Sequence, residues 1–272
     1  MKRILFLAFS LISFAASAAV APKSSPDGAP AVKLTATQIV DRNVAARGGL
    51  EAWRAVSTLT LSGRLEAGGK KNTELPFVMK MKRSHMSRLE INFQDQTAVQ
   101  VYDGTQGWKV RPFLGRDDAE PFTPAEAKAA AAWEELDGPL IDYAKKGTRV
   151  ELAGTEAVEG RNAYKLKLTM KNGEVRNIWI DGARFLEVKM DGEPRKMDGK
   201  LRNVAIYFRD YKSVNGLTVP HLVETVVEKD KQAHKMTIER VAVNQPMEGA
   251  LFAKPQLATM AKVSSQQAEQ RP

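Results

Sequence analysis

The chain has 272 residues, 43% hydrophobic and 27% charged, with a formal net charge of +9 and no cysteine. That balance excludes a globally disordered chain. The lack of cysteine excludes a disulfide framework and a lipidated N-terminal cysteine, so a fold of about 220 residues must be held by an ordinary hydrophobic core.

The amino terminus, MKRILFLAFSLISFAASAAVA, places Lys2 and Arg3 before an uncharged run from Ile4 to Ala16, with small residues at Ala16 and Ala18. This is the pattern of a secretory signal peptide over residues 1–18, in the style of bacterial export. A membrane span needs about 20 predominantly apolar residues, and this run is shorter, so no span is expected after cleavage. Export and the interleaving of acidic with basic residues set nucleic acid aside as a partner. The charge then belongs to a solvated face or meets an anionic lipid surface. Residues 19–33, rich in Ala, Pro, Ser, Gly and Lys, read as a flexible leader, and residues 257–272, ending SSQQAEQRP, as a disordered tail. Between them, residues 34–256 show no repeat and no dividing linker, which predicts one domain.

That domain opens with a helix. Thr35 and Gln38 have capping-box spacing, Ile39, Val40, Val44 and Ala45 form an apolar stripe, and Gly48-Gly49 end it. A short turn carrying Leu50, Trp53 and Val56 follows, and then the period becomes two. In STLTLSGRL, Leu59, Leu61 and Leu65 oppose Thr58, Thr60, Ser62 and Arg64; RLEINF sets out Leu89, Ile91 and Phe93 in the same way. FTPAEAKAAAAWEEL interrupts the alternation with a helix capped by Thr123, Pro124 and Glu126, and Leu140, Ile141 and Tyr143 predict a second helical turn after it. AYKLKLTMK resumes the alternation most cleanly. Further runs at residues 77–81, 99–102, 106–110, 175–180, 186–190, 204–208, 222–227 and 236–243 bring the total to about eleven strands. Asp103-Gly104, Asn172-Gly173, Asp181-Gly182, Asp191-Gly192, Asp198-Gly199 and Asn215-Gly216 read as the turns between them.

Short loops between successive strands imply antiparallel neighbours, so the predicted fold is α+β. It is a strongly curved antiparallel sheet of about eleven strands, an unclosed barrel whose concave face is covered by the N-terminal helix and the mid-chain helical insertion. Two modest helices cannot fill so wide a surface, and what stays unfilled is a cavity. From the first half of the chain, Phe77, Met79, Met81, Leu89, Ile91, Phe93, Val101 and Trp108 are expected to line it. From the second half come Leu166, Leu168, Met170, Ile178, Ile180, Met190, Ile206 and Phe208, and the flexible thioethers among these suit acyl chains of varied shape.

Reactive chemistry is not expected. His85, His221 and His234 lack HxH, HExxH or HxxxH spacing and read as surface or edge-strand histidines. There is no GxSxG elbow, and the Asp-Gly pairs lack the DxDxDG spacing of a calcium loop. No catalytic residue, metal or cofactor is predicted.

VYDGTQGWKV, NIWIDGARFLEVKMDG, YFRDYKSVNGLTVPHLVET and the closing LFAKP resemble, in order and spacing over roughly Leu34 to Gln256, the strand signatures of LolA-like outer-membrane lipoprotein-sorting proteins, the group that shares the LolA, LolB and RseB fold. The resemblance implies a periplasmic carrier that shields a lipoprotein acyl chain or free lipid beneath a movable cover, here Trp133, Leu136 and Leu140. It implies exchange with an inner-membrane transporter or an outer-membrane acceptor. It also implies a cavity arginine that regulates closure, and assigns that role to no particular arginine of this chain. An RseB-like envelope sensor or assembly module, and a hydrolase with no recognisable motif, are the alternative readings.

Overall fold

Alternating sequence becomes strand almost throughout. The computed structural model describes residues 33–66, 73–133, 136–197, 199–229 and 233–256. Within them, α1 (Ala36–Ala46) and α2 (Leu50–Arg54) precede β1 (Thr58–Glu66), β2 (Glu74–Lys82), β3 (Met86–Phe93), β4 (Gln96–Tyr102), β5 (Gly107–Arg111) and β6 (Arg116–Pro121). After α3 (Pro124–Trp133) come β7 (Arg149–Val158), β8 (Arg161–Thr169), β9 (Val175–Asp181), β10 (Glu187–Met197), β11 (Lys200–Val214), β12 (Leu217–Val227) and β13 (Ala233–Val243). The signal peptide, the tail, Asp198 and the side chain of Trp133 lie outside the described residues, as does the leader up to Val32.

The strands make one 13-stranded sheet in the order β6-β5-β4-β3-β2-β1-β13-β12-β11-β10-β9-β8-β7. It is two antiparallel meanders joined where β1 lies beside β13, with Leu59 opposite Val243 and Leu61 opposite Val241. The sheet is not closed: β6 and β7 are its two edges, and the chain that links them carries α3.

Two strands exceed the expected eleven, and both are those edges. β6 reads RDDAEP, and β7 is exposed along most of its length, so neither has a continuous buried face to impose alternation. Asp191-Gly192, expected as a turn, lies inside β10. A Cβ on Gly192 would come within 2.7 Å of the Val204 side chain, so the glycine permits close strand packing there. The predicted helical turn at Leu140 to Tyr143 is instead a series of turns, because Asp142 takes a left-handed φ of 51° that no α-helix accommodates. Asn215-Gly216 does turn the chain, both residues having positive φ (50° and 80°) between β11 and β12.

α1 and α2 cover different parts of the concave face. Both capping boxes form: Thr35 with Gln38 starts α1, and the Thr123 N–H donates to Glu126 at 2.8 Å at the start of α3. Ile39 and Val40 of α1 pack with Leu140 on Leu166, Leu168, Ile178 and Ile180. Trp53 of α2 packs with Leu136 and Ile141 on Leu59, Met81, Leu217 and Val219. A third cluster, Phe77 with Ile206, Val223 and Ile238, brings the two meanders together and shows the curl of the sheet. On the opposite face the closing segment lies against β3: Arg88, paired with Glu90 at 2.6 Å, donates to the Leu251 carbonyl, and Phe252 is buried.

Candidate functional site

A cavity of about 570 Å³ remains between the curled sheet and its cover. Leu59 and Leu61 of β1, Met79 and Met81 of β2, and Met236 and Ile238 of β13 line one part of its floor. Met190 of β10, Val204, Ile206 and Phe208 of β11 and Val223 of β12 line the other, and Trp53, Ala125, Leu136 and Pro139 face them from above. Strand alternation accounts for the selection: Val204, Ile206 and Phe208 point in, while Tyr207 packs with Trp179 on the outer face.

The residues predicted to line a pocket separate into four groups. Met79, Met81, Ile178, Met190, Ile206 and Phe208 border the cavity, as does Leu136 of the predicted cover. Phe77, Leu89 and Ile91 share the inner face but pack into the cluster beneath it, and Phe93 meets the Phe113 ring edge-on at 6.0 Å. Leu166, Leu168, Met170, Ile180 and Leu140 form the core under α1, which fills that end of the concave face. Val101 and Trp108 lie opposite one another and share a face with Arg88, whereas their neighbour Gln100 shares the face of Leu89. The two therefore point away from the cavity. His221, expected at the surface or an edge, is buried in β12 with Nδ1 3.2 Å from the Val219 carbonyl oxygen. Among the described residues no three His, Cys, Asp or Glu side chains converge as a metal site.

A polar group at the cavity's cover went unread in the sequence. Arg47, at the C-cap of α1, is 8% exposed; it donates to the Asp137 carbonyl at 2.8 Å, lies 3.4 Å from the Glu187 carboxylate and sits over the Trp53 ring at 4.3 Å. Tyr211 donates to Glu187 in turn, its hydroxyl pKa pushed well up by burial and by the Glu187 charge. Asp137, 4% exposed, accepts from Arg83 at 2.8 Å and Lys146 at 2.7 Å, so three cations hold the turn around Leu136–Pro139. The available signal was weak, since a basic residue before Gly48-Gly49 also reads as an ordinary complement to the helix dipole.

α3 bridges the two limbs of the sheet by charge. Glu126 pairs with Lys109 of β5, while Lys128 pairs with Glu193 of β10 at 3.0 Å and reaches Glu174 at 3.7 Å. Burial raises the Glu126 pKa, but hydrogen bonds from Lys109 and Thr123 outweigh it and leave the carboxyl below its ordinary value. A carboxylate lowered by folding stabilises above its unfolded pKa, and that contribution is lost as pH falls through the folded value. Amide protection of α3 is therefore expected to hold at neutral pH and to decline below about 4.5. In Glu126→Gln, which removes the ion pair with Lys109, about 1 kcal/mol of that protection should already be missing at pH 7. Hydrogen exchange of α3 across pH measures both, and equal protection in the two proteins would show that the Glu126–Lys109 pair does not hold α3.

No protein-family profile matches the chain, and no curated protein matches it. Solved structures do. A candidate outer membrane lipoprotein-sorting protein domain from Vibrio parahaemolyticus aligns at 14% identity and TM-score 0.53, covering 79% of this chain and 94% of that one. A LolA superfamily protein from Nitrosomonas europaea aligns at 12% identity and TM-score 0.53, over 81% and 98% of the two chains. A DUF1329 family protein from Desulfovibrio piger aligns at 14% and 0.55, over 80% and 97%. The chain thus shares its overall fold with these three structures, a LolA superfamily protein among them.

Proposed function

We propose that this protein is a periplasmic carrier that binds a lipoprotein acyl chain or a free lipid noncovalently and moves it toward the outer membrane. The apolar, methionine-bearing cavity of about 570 Å³ under a charge-anchored cover carries the reading. Its volume lies within the range of about 300–1,000 Å³ usual for small-ligand sites. Exposing acyl chains to water costs about 0.8 kcal/mol per methylene, so a chain of about 16 carbons is opposed by roughly 12 kcal/mol. Protein methylenes and thioethers in place of bilayer remove that barrier without covalent chemistry, and a cover that opens for loading and release completes the carrier. Arg47 fits the role of the cavity arginine: its bond to the Asp137 carbonyl ties the cover to the cavity wall, and a ligand carbonyl reaching the same guanidinium would compete for it.

Native mass spectrometry after gentle purification should find lipid on the protein, and fluorescent acyl probes should bind the emptied protein. Phe208→Glu places a carboxylate on the cavity floor and is expected to weaken probe binding at least tenfold, about 1.4 kcal/mol. A protein that is reproducibly empty and has no affinity for such probes would end this reading.

A further inference from the structure

The β10–β11 hairpin carries charge and apolar surface that the cavity does not account for. β10 pairs with β9 only over Glu187 to Met190, and β11 pairs with β12 only from Val204 onward. From Arg195 and Arg202 outward, among the described residues, the two strands pair only with each other, with Arg195 opposite Arg202, Lys196 opposite Leu201 and Met197 opposite Lys200. The ribbon is tied at its base, where Glu193 pairs with Arg176 and Lys128, and Asn203 donates to Glu228 at 3.0 Å. Beyond that base, Arg195, Lys196, Lys200 and Arg202 have no ion-pair partner among the described residues. Leu201, between Lys200 and Arg202, is 72% exposed.

A two-stranded ribbon standing alone is marginal in water, and like charges directly opposite across strands destabilise it further. Among the described residues no carboxylate pairs with these four cations to offset the repulsion. We propose that this ribbon docks on an anionic lipid bilayer, its cations among the phosphates and Leu201 in the acyl boundary. A lipid surface fits better than an acidic protein because the exposed apolar side chain shares its face with Lys196, its cross-strand neighbour, while the long cations Lys200 and Arg202 flank it along the strand from the other face. Such a residue enters a fluid interface without a shaped pocket to receive it. Arg195 and Lys196 also border the cavity, so docking would bring its opening to the bilayer. That consequence rests on the carrier reading; the docking itself does not.

Flotation of the purified protein with vesicles of equal parts phosphatidylcholine and phosphatidylglycerol, against phosphatidylcholine alone, tests this. Binding is expected on the anionic vesicles only. Each cation near such a surface contributes about fivefold in partition, so Lys200→Gln with Arg202→Gln should weaken binding roughly 25-fold. Leu201→Ser should weaken it further, while all three changes leave acyl-probe affinity intact. Phe208→Glu, which should empty the cavity, should still float, so failure of docking and failure of the carrier reading give different results. Unchanged flotation of the double variant, or equal flotation on neutral vesicles, overturns the proposal. Binding to polyglutamate as tight as to vesicles and indifferent to Leu201→Ser also overturns it, and reassigns the ribbon to an acidic protein.

Discussion

Replacing Arg47 by leucine is expected to destabilise the protein by about 3 kcal/mol, because removing one member of a buried ion pair leaves the other charge without compensation. Among the described residues Glu187 would keep the Tyr211 hydroxyl as its hydrogen-bond donor, and the Asp137 carbonyl would lose the Arg47 guanidinium. Leucine retains part of the contact with Trp53, which places the cost at the low end for such pairs. Urea unfolding measures it directly, and thermal unfolding should fall by about 6–12 °C for a domain of this size. Glu187→Gln in the Arg47→Leu background should recover part of the loss, so the two changes should be non-additive in a double-mutant cycle. Hydrogen exchange separates a global from a local effect: the turn around Leu136–Pro139 should open more often than the strands. A leucine variant of parental stability and parental protection would show that Arg47 does not hold the cover.

Gly48→Ala is expected to cost about 3 kcal/mol through two distinct causes. The residue has φ of 111°, where a Cβ is strained by about 1–3 kcal/mol. That Cβ would also lie 2.2 Å from the Gly216 carbonyl oxygen and 3.1 Å from the Leu217 Cα, both backbone atoms that cannot rotate away. Relief requires α1 to part from the β11–β12 hairpin, although the Arg47 carbonyl accepts from Thr218 N–H at 2.9 Å and from the Trp53 indole at 2.9 Å. Gly49→Ala is the control. Its φ of 94° carries comparable strain, but its Cβ would meet nothing within 4 Å, so about 1–2 kcal/mol is expected. Equal losses in the two variants would mean that the contact between α1 and the hairpin contributes nothing.

How far the sequence could be read follows from which residues feel a local rule. Capping at Thr35 and Thr123 and the turn at Asn215-Gly216 depend on residues within a few positions, and all three form. Alternation in β1, β3 and β8 depends on each strand's having one dry face, and those strands were legible. β6 and β7 were not, because these edge strands are exposed along most of their length and their composition carries no period. Asp191-Gly192 was misread because the same two residues suit a turn and a crowded strand; the choice lies with Val204 across the sheet.

The candidate site was legible only in part. Alternation separates the two faces of a strand but does not say which face looks inward, and so Val101 and Trp108 were placed on the wrong side. Nor does it say where a helix will lie, and α1 turns Leu166, Leu168 and Ile180 into core where a different cover would leave them open to a ligand. By itself the sequence determined the helical start, the strand grammar and the absence of local catalytic or metal-site motifs, since these rest on short-range geometry and spacing. Only the tertiary structure decided that Arg47 reaches Asp137 across 90 positions, that the two meanders meet at β1 and β13, and that an apolar hollow is left between them. The physical reason is that curvature and cover are properties of the whole sheet, set by contacts between residues that no local pattern connects.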